Sequence, residues 1–174
     1  MPLQDYRYDD SSEQWFAVRT KSNREASVLR ALTGKGLDAW FPRYTDRRPD
    51  RDCTGKAAFP GYVFCRLDVT RRMPVLTTPG VVGLVSSGRT PLPIYPREMA
   101  SLRMVMESLL PVGPHAYLRA GDAVRISTGP LAGAEGYIVR STVARLVVCI
   151  TLLQRSVCVV MESHWLERTS RLAA

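Results

Sequence analysis

The stretch GDAVRISTGPLAGAEGYIVR, residues 121–140, sets glycines at 121, 129, 133 and 136 and a proline at 130 between two short apolar runs. Such a loop is either a phosphate cradle or the tight corner of a small barrel. A P-loop needs G-x-x-x-x-G-K-[ST] leading from a strand into a helix, so that backbone N–H groups and the helix N-terminus meet the phosphate. Here Gly136 leads into Tyr137, Ile138 and Val139, a strand-forming run, and no Lys-Ser or Lys-Thr occurs in the stretch. A dinucleotide fingerprint fails on the same ground. The glycines fit positive-φ positions and close backbone approach at a barrel corner instead.

Outward from that loop the chain divides. Downstream, the apolar runs AVRI, GYIV, RLVVCI, SVCVV and WLE recur at roughly 8–12-residue spacing, the pattern of a small all-β barrel or sandwich over 119–169. PVGPHAY, with two prolines and a glycine, reads as part of a linker over 111–118. Upstream, 14–110 alternates strands and helices. WFAVRT, DAWF, GYVFCRL and GVVGLVS read as strands. The segment from Ser22 reads as a helix with a Ser22–Glu25 capping box, an apolar stripe of Val28, Leu29 and Leu32, and stop signals at Gly34 and Gly36. A second helix starts near Pro96, with Met99, Leu102, Met106 and Leu109 as its core stripe. RYTDRRPDRDCTGK reads as an exposed loop or mobile hairpin, and residues 1–13 as a disordered acidic tail. The fold class expected is α+β, an antiparallel sheet with flanking helices followed by a small all-β barrel.

The net charge is +8 and the pI about 9.7, the usual footprint of a polyanion partner or of a solvated basic face. Residues 14–110 carry 16 basic against 8 acidic residues and 111–174 carry 7 against 4, so the charge is concentrated in the first unit. The cysteines at 53, 65, 149 and 158 form no C-x-x-C pair, and only His115 and His164 could join them, which argues against zinc. Cys65, Cys149 and Cys158 lie in apolar runs and read as small buried hydrophobes. No signal peptide or membrane span is read, so a cytoplasmic protein is expected. No nucleophile–base constellation is present: His115 stands alone in the linker, and Asp50 and Asp52 share a loop with arginines. A non-enzymatic binding protein without cofactor or metal is expected.

The residues also carry a resemblance. The glycine loop with RLVVCITLLQRSVCVVMESHWLE resembles a KOW domain, a five-stranded SH3-like barrel. FPGYVFCRL, residues 59–67, preceded by WFAVRTKSNRE and followed by TPGVVGLVS and PLPIYPREM, resembles the N-terminal domain of NusG-type elongation factors. The match covers about residues 14–168, and its style is closer to specialised RfaH-like and polysaccharide-operon antiterminators than to the housekeeping factor. The resemblance implies a monomeric transcription elongation or antitermination factor that suppresses pausing or termination, with no membrane partner. The alternative of another class is a KOW-type ribosome- or RNA-binding protein acting in translation.

Partners and sites follow from the same resemblance. Trp15, Phe59, Pro60, Gly61, Tyr62 and Val82 would form an apolar depression for the coiled-coil clamp of RNA polymerase's largest subunit, Gly61 opening the backbone; otherwise Phe59 and Tyr62 are plain core residues. Lys21, Arg24 and Arg30 would meet the non-template DNA strand of the transcription bubble, extended by Arg43, Arg47, Arg48 and Arg51, or be a solvated face. Gly129, Leu131, Gly133 and Gly136 mark the KOW loop, whose family partners are Rho or a small-subunit ribosomal protein. Leu131 and Ala134 stand where that loop commonly carries larger groups, which leaves the barrel either such a contact or the role of a tether. The β-branched run RLVVCITLLQRSVCVV predicts a stable barrel.

Overall fold

The computed structural model describes residues 13–44, 55–108, 110–115, 122–140, 144–160 and 166–167. The chain runs through β1 (Gln14–Thr20), α1 (Glu25–Gly34), β2 (Asp38–Trp40), β3 (Arg43–Tyr44) and β4 (Lys56–Ala57). It continues through β5 (Tyr62–Leu67), the single-turn α2 (Met73–Leu76), β6 (Val81–Leu84), β7 (Ser86–Ser87), β8 (Thr90–Pro91) and α3 (Pro96–Glu107). The second unit is β9 (Val112–His115), β10 (Asp122–Ile126), β11 (Glu135–Arg140), β12 (Ala144–Ile150), β13 (Arg155–Val160) and β14 (Leu166–Glu167). The α+β architecture expected from the sequence is the one observed.

The first sheet is antiparallel in the order β2-β5-β1-β6. Period-two alternation gives its central strands two apolar faces. Phe16 and Val18 of β1 and Val63, Cys65 and Leu67 of β5 meet Val28 and Leu32 of α1, and Val75 joins them. Trp15 and Ala17 of β1 and Tyr62 and Phe64 of β5 look the other way, toward α3. Burial pushes the Cys65 thiol up to about 12, with the Asp38 and Glu13 carboxylates adding to the effect, so it stays a neutral, inert thiol. Cys149 is buried and Cys158 half-buried; Cys53 lies outside the described residues.

The second sheet is ordered β14-β10-β11-β12-β13-β9. The glycine loop is its corner, as read: Gly129 and Gly133 have φ of +80° and +92°. Gly136 is a close approach, since a Cβ there would fall 2.5 Å from the carbonyl oxygen of Val147 on β12. The segment read as a linker is in part a strand. Residues Val112–His115 pair with β13, and Pro114 is tolerated because β9 is the edge of the sheet.

Two helix readings are corrected. The Ser22–Glu25 capping box does not form: Arg24 is the N-cap, without a side-chain cap bond, and Glu25 reaches across to Gly61 instead. In α3, which begins with Pro96 in its first turn, the buried stripe is Met99, Leu102 and Val105, with Met106 at its margin; Leu109 lies outside the described residues. Met99, Leu102 and Val105 belong to one buried cluster with Phe59 and Phe64 of the first unit and with Val124, Ile126, Leu131, Leu146, Val148 and Val157 of the second. One helix face therefore serves as core to both sheets.

Candidate functional site

Phe59 to Tyr62 form a tight turn, the Tyr62 N–H donating to the Phe59 carbonyl at 3.1 Å. Proline second and a glycine at φ +85° third are the requirements of a type II turn. Nothing lies within 4 Å of a Cβ built on Gly61, so its backbone angle and not close approach demands glycine. The turn projects Phe59 inward, where it is fully buried and meets Phe64 edge-to-face at 5.4 Å. Phe59 is thus a support beneath the surface and not a contact on it. Tyr62 is half-buried at the rim.

The aromatic face exists, and two arginines cap it. Arg103 of α3 lies 4.6 Å from the Trp15 ring and 5.4 Å from Trp40, and pairs with Asp38 at 3.9 Å. Arg155 of β13 lies 5.2 Å from the Tyr62 ring and donates to the Pro60 carbonyl at 3.0 Å. It follows Gln154, a non-glycine residue held left-handed at φ +49° at the end of the β12–β13 turn. Such a conformation costs roughly 1–3 kcal/mol and persists where surrounding structure fixes it. Trp15, Phe59 and Tyr62 are therefore brought together as the sequence suggested, while Val82 is not: it is 51% exposed and belongs to neither cluster. Trp40, Arg103 and Arg155 had no signal in the sequence, because a cation 93 residues from the ring it covers, as Arg155 is from Tyr62, leaves no local pattern.

The glycine loop turns inward. Leu131 and Ala134 are fully buried, and a Cβ on Gly133 would lie 3.6 Å from Met104 Cε of α3. The seam also carries polar contacts. The Glu135 N–H donates to Ser101 Oγ at 2.9 Å, and Thr151 donates to Glu98 through N–H at 3.1 Å and through Oγ1 at 2.5 Å. Neutral hydrogen bonds contribute about 0.5–1.5 kcal/mol each and an exposed cation–π contact about 0.5–1. Fully burying one Leu, Val or Met is worth about 1.5–3 kcal/mol. Apolar contact holds the seam, and the polar groups set its register. Between Tyr95 to Ser101 and the strands β10 to β12 the seam leaves a cleft of about 510 Å³.

The basic candidates stand on a separate face. Lys21, Arg24 and Arg30 are all exposed. The Lys21 N–H donates to the Gly80 carbonyl at 2.8 Å, and Asn23 takes φ +59°, so the turn into α1 is a fixed platform. Arg43 donates to the Gly55 carbonyl at 2.8 Å; Arg47, Arg48 and Arg51 lie outside the described residues. No group of three or more metal-ligating side chains occurs among the described residues, and no described helix is long and apolar enough to cross a membrane.

The family profile described as transcription termination factor NusG matches residues 13–103. The chain is similar to the transcription termination/antitermination protein NusG of Deinococcus radiodurans, at 29% identity over 83% of this chain and 93% of that one. The NusG protein of Staphylococcus aureus strain Mu50 is 28% identical, with 90% and 96% covered. Among solved structures, the one titled Domain interaction in Thermotoga maritima NusG aligns at 26% identity and a TM-score of 0.53, covering 91% of this chain and 98% of that one.

Glu98 makes the seam sensitive to pH. Burial raises its carboxyl above the ordinary 4.5, and the two hydrogen bonds from Thr151 offset only part of that shift. Arg97 and Glu135 are the other charged groups lining this cleft, with Tyr95, Tyr137 and Cys149. A carboxyl with a raised value contributes stability in full below its ordinary range and loses that contribution as pH rises through the raised value. The melting temperature of wild type relative to Glu98→Gln, followed from about pH 4 to pH 8, is expected to fall through that window. A pH-independent difference contradicts the assignment.

Proposed function

The chain belongs to the NusG family of transcription termination and antitermination factors, and on that premise we propose that it binds the clamp of RNA polymerase's largest subunit through the face around Tyr62, after the second sheet has left that face. One observation carries the reading: a side chain of the other unit, Arg155, covers the Tyr62 ring and takes the Pro60 carbonyl. An aromatic anchor beside a backbone acceptor, over a rigid layer of Phe59 and Phe64, has the makeup of an interface hot spot. A partner helix laid there would replace the apolar cover that Met99, Leu102 and Val105 lose when the sheet departs.

Opening alone exposes that apolar face, so the closed form dominates until a partner is present. If about 1% of molecules were open, the apparent dissociation constant would be raised about a hundredfold over the intrinsic one. The same step releases Leu131 and the glycine loop, so any contact of the barrel with Rho or a ribosomal protein follows polymerase binding and does not precede it. Lys21, Arg24 and Arg30 are assigned to phosphates of the non-template strand, the helix N-terminus of α1 adding its positive end.

Opposite effects are expected from two truncations. Tyr62→Ala loses about 2 kcal/mol of polymerase affinity, roughly thirtyfold, whereas Arg155→Ala binds more tightly than wild type because the cap is weakened. Titration onto elongation complexes reads both. A folded Tyr62→Ala chain, with unchanged melting temperature and wild-type affinity, would falsify the clamp assignment.

The DNA contact has its own test. Replacing Lys21 and Arg24 with Ala is expected to reduce the salt slope of binding to single-stranded bubble DNA by roughly one to two counterions. An unchanged slope assigns both residues to solvent.

A further inference from the structure

The Pro60–Gly61 peptide is held at both ends. Its N–H donates to Glu25 Oε1 at 2.8 Å, and its C=O accepts from Arg155 at 3.0 Å. Glu25 sits in the first turn of α1 and is only 9% exposed, an unusual place for a carboxylate unless it is partnered. The following peptide is fixed as well, because the Thr20 N–H donates to the Gly61 carbonyl at 2.9 Å. The middle peptide of a β-turn is the one whose rotation exchanges type I for type II, and that rotation swaps the sides to which N–H and C=O point. A carboxylate can accept but not donate. Glu25 therefore admits only the orientation that sends the Pro60 carbonyl outward beside the Tyr62 ring.

We propose that Glu25 is a positioning residue which turns the Pro60 carbonyl and the Tyr62 ring into a seat for a guanidinium group. Arg155 fills the seat in the closed chain, and an arginine on the polymerase element that displaces the sheet fills it in the open one. The occupant is read from the group already seated: a planar cation that stacks on the ring face while an edge N–H reaches the carbonyl. Lysine satisfies this poorly, since its ammonium is a compact, strongly hydrated point charge without a planar face. The proposal rests on the clamp reading for its second half only. The seat itself is tested within the chain.

Hydrogen exchange of full-length protein reads the seam directly, through the amides of the 129–134 loop. Arg155→Lys is expected to speed that exchange nearly as much as Arg155→Ala. Glu25→Leu, which cannot accept from Gly61, does the same, while Glu25→Gln, whose amide oxygen still accepts, stays close to wild type. Val28→Ala on the same helix, buried on the opposite face of the sheet, serves as the control: it lowers stability but leaves loop exchange no faster than its own global destabilisation requires. Arg155→Lys matching wild type overturns the guanidinium seat, and Glu25→Leu matching the Val28→Ala control overturns the positioning role. With Arg155→Ala as background, adding Glu25→Leu weakens polymerase binding ~tenfold relative to Arg155→Ala alone. Equal affinity of Glu25→Leu and Glu25→Gln there overturns the partner arginine, whatever Tyr62→Ala has shown about the clamp.

Discussion

Met99, Leu102 and Val105 on α3 stay dry only while the second sheet lies against them, and most of the molecule's behaviour follows from that constraint. The first sheet packs the other side of its own β-strands on α1 and could hold that half together alone. The half facing α3 depends on both units. On the proposed reading, the chain's own sheet and a partner compete for this shared apolar face.

The polar groups along the seam explain how the competition stays specific. Ser101 meets the Glu135 N–H, Glu98 meets Thr151, and Arg155 meets Pro60 and Tyr62 on the opposite unit, each by one or two modest contacts. They fix the register in which the two units meet. Arg155 and Glu98 also place the two sensitive points at opposite positions, one on the aromatic face and one beside the cleft.

Much of this was legible in the chain where the cause is local. Positive φ at Gly129 and Gly133, the alternation of β1 and β5 and the start of α3 at Pro96 all follow from backbone sterics and periodicity within a few residues. Family resemblance added the order of the two units. Contacts between distant segments were not readable. Glu25 has the spacing of a capping box, yet a neighbour 36 residues away offers its N–H and wins the side chain. Leu131 looks like an exposed loop tip by sequence and is buried because α3 happens to be its cover. PVGPHAY has the composition of a linker, but an open sheet edge recruits Val112–His115 as a strand.

On the proposed reading, the closed arrangement and polymerase binding exclude one another. Ser101 and Glu135 face each other across the seam, with Ser101 Oγ accepting from the Glu135 N–H at 2.9 Å. A chain carrying Ser101→Cys and Glu135→Cys can be oxidised to tie the units shut and reduced to free them. Binding of that chain to RNA polymerase, measured before and after reduction, is the most direct measurement. No binding is expected in the cross-linked state, with binding restored to at least wild-type affinity on reduction; a cross-linked chain that binds as well as the reduced one contradicts mutual exclusion.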